Sequence, residues 1–166
     1  IKYNKGFFTA GAWGSFDFSG YKEADLFVSF ALPAGFSAGI TDYYYPDLGY
    51  FDFSQESGSH AYELNAGFAA AGLTLSANYI VNNAGGAGSS GSDKYFQAGY
   101  SFSSIFFFAG AGDGWHTADG RFGLCNLGLG ITRKVKITEL LAIPVSGQVI
   151  VNPDRERMFL VIALTL

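Results

Sequence analysis

Large apolar residues alternate with small or polar ones at a period of two along this chain. They do so in windows of about ten residues, the length of one tilted strand crossing a bilayer. Leu26, Val28, Phe30 and Leu32 are set against Asp25, Phe27, Ser29 and Ala31. Tyr62, Leu64, Ala66 and Phe68 oppose Ala61, Glu63, Asn65 and Gly67, and Leu73, Leu75, Ala77, Tyr79 and Val81 oppose Thr74, Ser76, Asn78, Ile80 and Asn82. Further windows cover 8–17, 36–45, 95–102, 105–112, 125–132, 143–152 and 158–166. The window at 105–112 is apolar on both faces, so its register cannot be read. In 125–132, Cys125, Leu127, Leu129 and Ile131 form the large face, and Asn126, Gly128, Gly130 and Thr132 the small one.

A strand carries such a pattern when its two faces meet different surroundings. The direction of the pattern follows from charge. Only 14% of the 166 residues are charged while 49% are hydrophobic; soluble domains average about 25% charged. Nearly all ionisable side chains fall between the windows; only Asp25, Asp42 and Glu63 sit well inside them. A soluble barrel would carry Lys and Glu along its outer strand faces. No apolar run reaches the roughly 18 residues of a membrane helix. A β-barrel closed on itself is the other way to satisfy every backbone group in lipid. The expectation is one domain over 1–166, an up-and-down antiparallel transmembrane β-barrel of about ten strands with its large residues toward lipid.

Connection lengths agree with a meander. The links at 33–35, 70–72 and 103–104 are tight, whereas 46–59, 83–94 and 112–121 are long. Bacterial barrels pair short periplasmic turns with long extracellular loops. This register puts the link at 133–140 in the periplasm and 152–155 outside. The run 84–91 reads as a mobile low-complexity loop. Tyr43, Tyr44, Tyr45, Tyr50, Phe51 and Trp115 cluster near strand ends, as girdle or loop-contact aromatics would. Ile1-Lys2-Tyr3-Asn4 reads as a cut into a longer chain, which would raise the full count to twelve strands.

Asp42-Tyr43-Tyr44-Tyr45-Pro46, Tyr50-Phe51 and Ser59-His60-Ala61-Tyr62-Glu63-Leu64 resemble the uncharacterised porin-like families of small outer-membrane barrels, closest to the TorF-like group of Bacteroidota. Ile143-Pro144-Val145-Ser146-Gly147 and Val151-Asn152-Pro153 fit the same resemblance. It implies integral location in a Gram-negative outer membrane, with lipopolysaccharide and phospholipid as surroundings. It implies no reaction.

The residues themselves point away from catalysis. His60 and Glu63, three apart, fall on opposite faces of a strand, and Ser59 beside His60 is ill-placed for a nucleophile pair. His116 reads as a solvated or interfacial loop residue. Asp113, His116 and Asp119 share one loop and Asp47 and Asp52 another, but neither spacing matches a calcium loop. A net charge of −4 and the lack of a basic stripe exclude a nucleic-acid partner, and a single Cys125 excludes a disulfide framework. No enzyme activity, cofactor or metal is expected. The candidate lumen lining is Glu63, Asn65, Asn78, Gln97, Asn126 and Gln148. These residues fit either a narrow porin-like path for small polar solutes or a closed interior. In the second case the barrel would be a structural subunit of a larger outer-membrane complex.

Overall fold

A computed structural model describes residues 1–139 and 141–165. It is all-β apart from one turn of 3-10 helix at Pro33–Gly35. The strands are β1 (Lys2–Lys5), β2 (Phe8–Phe16), β3 (Lys22–Ala31), β4 (Phe36–Tyr44), β5 (His60–Ala70), β6 (Leu73–Ile80), β7 (Asn83–Ala84), β8 (Ser89–Ser90), β9 (Lys94–Phe102), β10 (Ile105–Gly114), β11 (Gly120–Lys136), β12 (Ala142–Asn152) and β13 (Arg157–Leu164). Eleven of them make one antiparallel meander in chain order, with β6 beside β9, while β7 and β8 form a separate ribbon in a loop. The expected ten strands become eleven because Lys2–Lys5, most of it in the stretch read as a cut into a longer chain, is itself a strand and pairs with Phe8–Gly11. Among the described residues β1 and β13 each have one neighbour, so the sheet is open rather than the closed barrel expected.

Alternation sets the two faces. Leu26, Ile40, Leu64, Leu75, Phe96, Phe107, Leu129, Val149 and Leu160 are all exposed, and all lie on one face. The other face carries Asp25, Glu63, Asn65, Asn78, Gln97 and Gln148. The sheet curls toward that second face. Trp115, just past β10, packs at 5.5 Å on Tyr43 of β4. Four inter-strand steps lie between those strands, roughly 19 Å if flat. We call the polar face inner and the apolar face outer.

The unreadable window is resolved by its neighbour. In β10, Ile105 and Phe107 face outward while Phe106 and Phe108 face inward opposite Gly130 and Gly128 of β11. A Cβ on Gly128 would lie 2.1 Å from the Phe108 ring, so glycine is what lets the ring lie across the next strand. Cys125 departs from the expected register. A bulge pairs Gly110 with Asn126 and Ala111 with Leu124, leaving Cys125 as the extra residue, buried with its thiol toward the Gly110 carbonyl at 3.7 Å. Leu124 takes the outward place.

Two connections also differ from expectation. Positions 133–136 are strand: β11 and β12 stay paired to Lys136↔Ala142, about five residues or roughly 17 Å beyond the Ile105 end of β10. The link there is 137–141, of which Leu140 lies outside the described residues, as does Leu166. The run 84–91 is packed rather than free. Ala84, Ala87 and Ser89 are buried, and the Gly85 and Ala87 amides donate to the Gln55 and Gly58 carbonyls. Its small residues pack closely because Cβ-free backbone fits against the neighbouring loop: a Cβ on Gly85 would meet the Glu56 carbonyl at 2.0 Å.

Candidate functional site: the inner wall and its loop cover

Cross-strand register assembles the inner wall. Thr41, Glu63 and Ile80 lie abreast on β4, β5 and β6, as do Asn65 and Asn78 on β5 and β6. Period-two projection puts all five on the inner face. Tyr43 donates to Glu63 at 3.0 Å, Asn65 donates to the same carboxylate oxygen at 2.6 Å and to Asn78 at 3.3 Å, and Thr41 donates to Asn65 at 2.9 Å. Glu63 is 3% exposed, so these donors are what make a charge tolerable there. A second network runs across β9 and β11: Tyr95 donates to Gln97 at 2.8 Å and Asn126 donates to Tyr95 at 3.2 Å. Five of the six candidate lumen residues therefore belong to hydrogen-bonded networks. Gln148 stands apart, its Cβ against Gly130.

The long loops fold over one end of this wall. Ala61, Ile80, Ala84 and Ala87 form a small buried cluster, and Tyr43, Tyr45 and Trp115 pack against it. The aromatics read as girdle or loop contacts thus divide. Tyr43, Tyr45 and Trp115 face the covered mouth, whereas Tyr44 and Tyr50 surround His60 and Phe51 stays exposed. Arg155, from the link before β13, donates to the Trp115 and Thr117 carbonyls, and Asp154 accepts from the Ala118 amide at 2.6 Å. His116 is not a solvated loop residue. Its ring lies 4.9 Å from Tyr95 and accepts from the Trp115 indole at 2.9 Å, and burial pushes its pKa down to about 4. Asp93, buried beneath the same cover, has its carboxyl held above the usual range by desolvation.

On the outer face at the same end sits a pair that sequence reasoning missed. Asp42 and His60 are diagonal neighbours across β4 and β5, since Tyr44 pairs with His60 and Asp42 with Tyr62. His60 Nδ1 lies 2.9 Å from Asp42, and Nε2 lies 2.7 Å from the Tyr50 carbonyl. Both ring nitrogens face oxygen atoms, so the ring is held at both ends. Tyr44 and Phe53 stack on the ring at 4.9 Å each, closing loop 46–59 over it. Recognising the pair needed the hairpin register across a long loop, which no local spacing supplies. Glu63, three residues on, faces the opposite way.

The loop carboxylates are spent locally. Asp113 accepts from the Lys94 amide, Asp119 from Arg121, and Asp52 from Ser54 and Ser57. Among the described residues no three His, Cys, Asp or Glu side chains gather as a metal site would require.

Comparison of the chain with family models, with curated proteins and with solved structures gives no match. The arrangement of the two faces therefore carries the functional reading.

Proposed function

We propose that this chain forms most of the wall of an outer-membrane β-barrel whose interior is a narrow, loop-covered path for small polar solutes. The observation that carries the reading is the inverted distribution of polarity. Exposed Leu, Ile, Val and Phe populate the outer face along the main strands, while hydrogen-bonded Glu, Asn, Gln and Tyr occupy the inner one. Water would penalise that outer face and lipid would not.

Parity sets what closure into a barrel would require. In a meander of eleven strands β1 and β13 run in the same direction. Antiparallel neighbours at both edges therefore need an odd number of further strands, and one gives a barrel of twelve. The resemblance to the porin-like TorF group supports the same architecture and a Gram-negative outer-membrane location. Single-channel recording in planar bilayers tests the path. Discrete conductance steps that change with Glu63→Gln support it, and silence from pure folded protein refutes it.

A second reading has its own observation. Ala66, Ala77, Ala98 and Ala109 leave a shallow apolar trough in the outer face between Phe36, Phe68, Leu75 and Phe96. A complementary ridge of another membrane protein would fit it, as in an accessory subunit of a larger complex. Stoichiometric co-purification with one partner from native membranes would favour that reading over a free pore.

A further inference from the structure

We propose that the inner wall around Asp25 binds a small organic ammonium cation. The inference rests on the inner face being the water-accessible one. Asp25 is 6% exposed, and among the described residues no donor reaches its Oδ1. A buried carboxylate is stable only when a donor or a positive charge meets it. Here its surroundings are acidic: the charges that act most strongly on Asp25 are Glu23, Asp42 and Glu63. Asp42 is matched by His60 on the outer face, whereas Glu23 and Glu63 have no basic partner among the described residues. Glu23 accepts from Tyr21 and Glu63 from Tyr43 and Asn65, and Glu23 also lies within hydrogen-bond reach of the Asp25 carboxyl, so a proton shared by those two carboxyls is the competing occupant of the site.

The register then sets what kind of cation fits. Trp13, Asp25 and Tyr43 lie abreast on β2, β3 and β4, with period-two projection to the same face. A carboxylate with an aromatic residue beside it on each neighbouring strand matches a charged nitrogen with an apolar skirt: the carboxylate takes the charge and the aromatic side chains take the alkyl groups. A metal ion fits less well, since among the described residues no three carboxylates converge as ligands. A proton on Asp25 would relieve the charge too, but it would leave the site indifferent to added cations.

The test uses the full chain folded in detergent micelles with Trp115→Phe, so that Trp13 is the sole indole. Choline and its uncharged tert-butyl isostere are titrated at constant ionic strength, with Trp13 emission as the readout. The expected result is a saturable change with choline alone, weakened at least about tenfold by Asp25→Asn and less by Glu23→Gln. Equal response to the isostere, no saturable response to choline, or choline binding unchanged by Asp25→Asn would overturn the proposal. Should Asp25→Asn fail to fold, the choline-to-isostere comparison and Glu23→Gln still decide it. Failure of the pore reading is separable. Binding without conductance sinks the path and leaves the site; conductance without binding does the reverse.

Discussion

Replacing His60 by Ala should release loop 46–59 from the sheet while leaving the strands in place. The ring is buried, contacts Asp42 and the Tyr50 carbonyl through its two nitrogens, and is stacked between Tyr44 and Phe53. Removing a buried, stacked aromatic ring together with its two nitrogen contacts costs about 3–5 kcal/mol. The Asp42 side chain is 22% exposed and recovers some hydration, which puts the loss near the lower end, about 3–4 kcal/mol. That corresponds to an increase in loop opening of about two to three powers of ten. Amide hydrogen exchange reads it directly. The Gly58 and Ser59 amides bond to the Ser54 and Asp52 carbonyls inside this loop and should lose protection by that factor, while the Leu64 amide in β5 keeps its own. Asp42→Ala should produce a similar loss, and the double variant little more than either, a coupling of about 3 kcal/mol. Wild-type exchange at Gly58 and Ser59 in His60→Ala would refute the view that this pair holds the loop.

Other expectations concern the cover and the wall. His116 keeps a neutral ring in the folded loop, with its pKa pulled to about 4 from an ordinary value near 6.5. Its contribution is therefore fully present above pH ~6.5 and lost as pH falls from there toward 4, because the opened loop takes up the proton first. Trp115 fluorescence should report that opening, and His116→Gln should flatten the profile over this window. Gly128→Val should cost about 1–3 kcal/mol, since its Cβ would overlap the Phe108 ring, and Phe108→Ala in the same chain should recover part of the loss. Equilibrium urea unfolding in lipid vesicles measures both variants. Arg155→Ala should loosen the Trp115 segment by about 1–3 kcal/mol, seen as faster exchange of the Ala118 amide.

The sequence made the strand pattern legible because period-two alternation is a local property. Leu64 and Glu63 had to face opposite ways whatever the tertiary structure, and the tight link at Ala71–Gly72, both with positive φ, follows from two-residue hairpin geometry. What stayed hidden depends on contacts between distant segments. The bulge at Cys125 inserts one residue into a regular alternation and shifts Leu124 outward, which no single-strand pattern records. Phe106 and Phe108 look like a misplaced apolar face until Gly130 and Gly128 of the next strand are set beside them. The Gly/Ser composition of 84–91 suggested mobility, yet small residues are also what close backbone packing against Gln55 and Gly58 requires. Of the site, the polar lining of β5, β6 and β9 was readable from face assignment alone. The Asp42–His60 clasp and the inward turn of Tyr43, Tyr45 and Trp115 were not, because they depend on where long loops return.

On the proposed reading the outer face meets lipid and the inner face meets water. β12 offers the cleanest probe, because Val145, Gly147, Val149 and Val151 project outward by period-two alternation and Ser146, Gln148 and Ile150 inward. Single cysteines at positions 145–151 in a Cys125→Ser chain, spin-labelled and folded into phospholipid bilayers, can be scored for collisions with oxygen and with a water-soluble nickel complex. Strict alternation is expected, oxygen reaching the odd positions and nickel the even ones. Nickel access at 145, 149 and 151 equal to that at 146, 148 and 150 would contradict it.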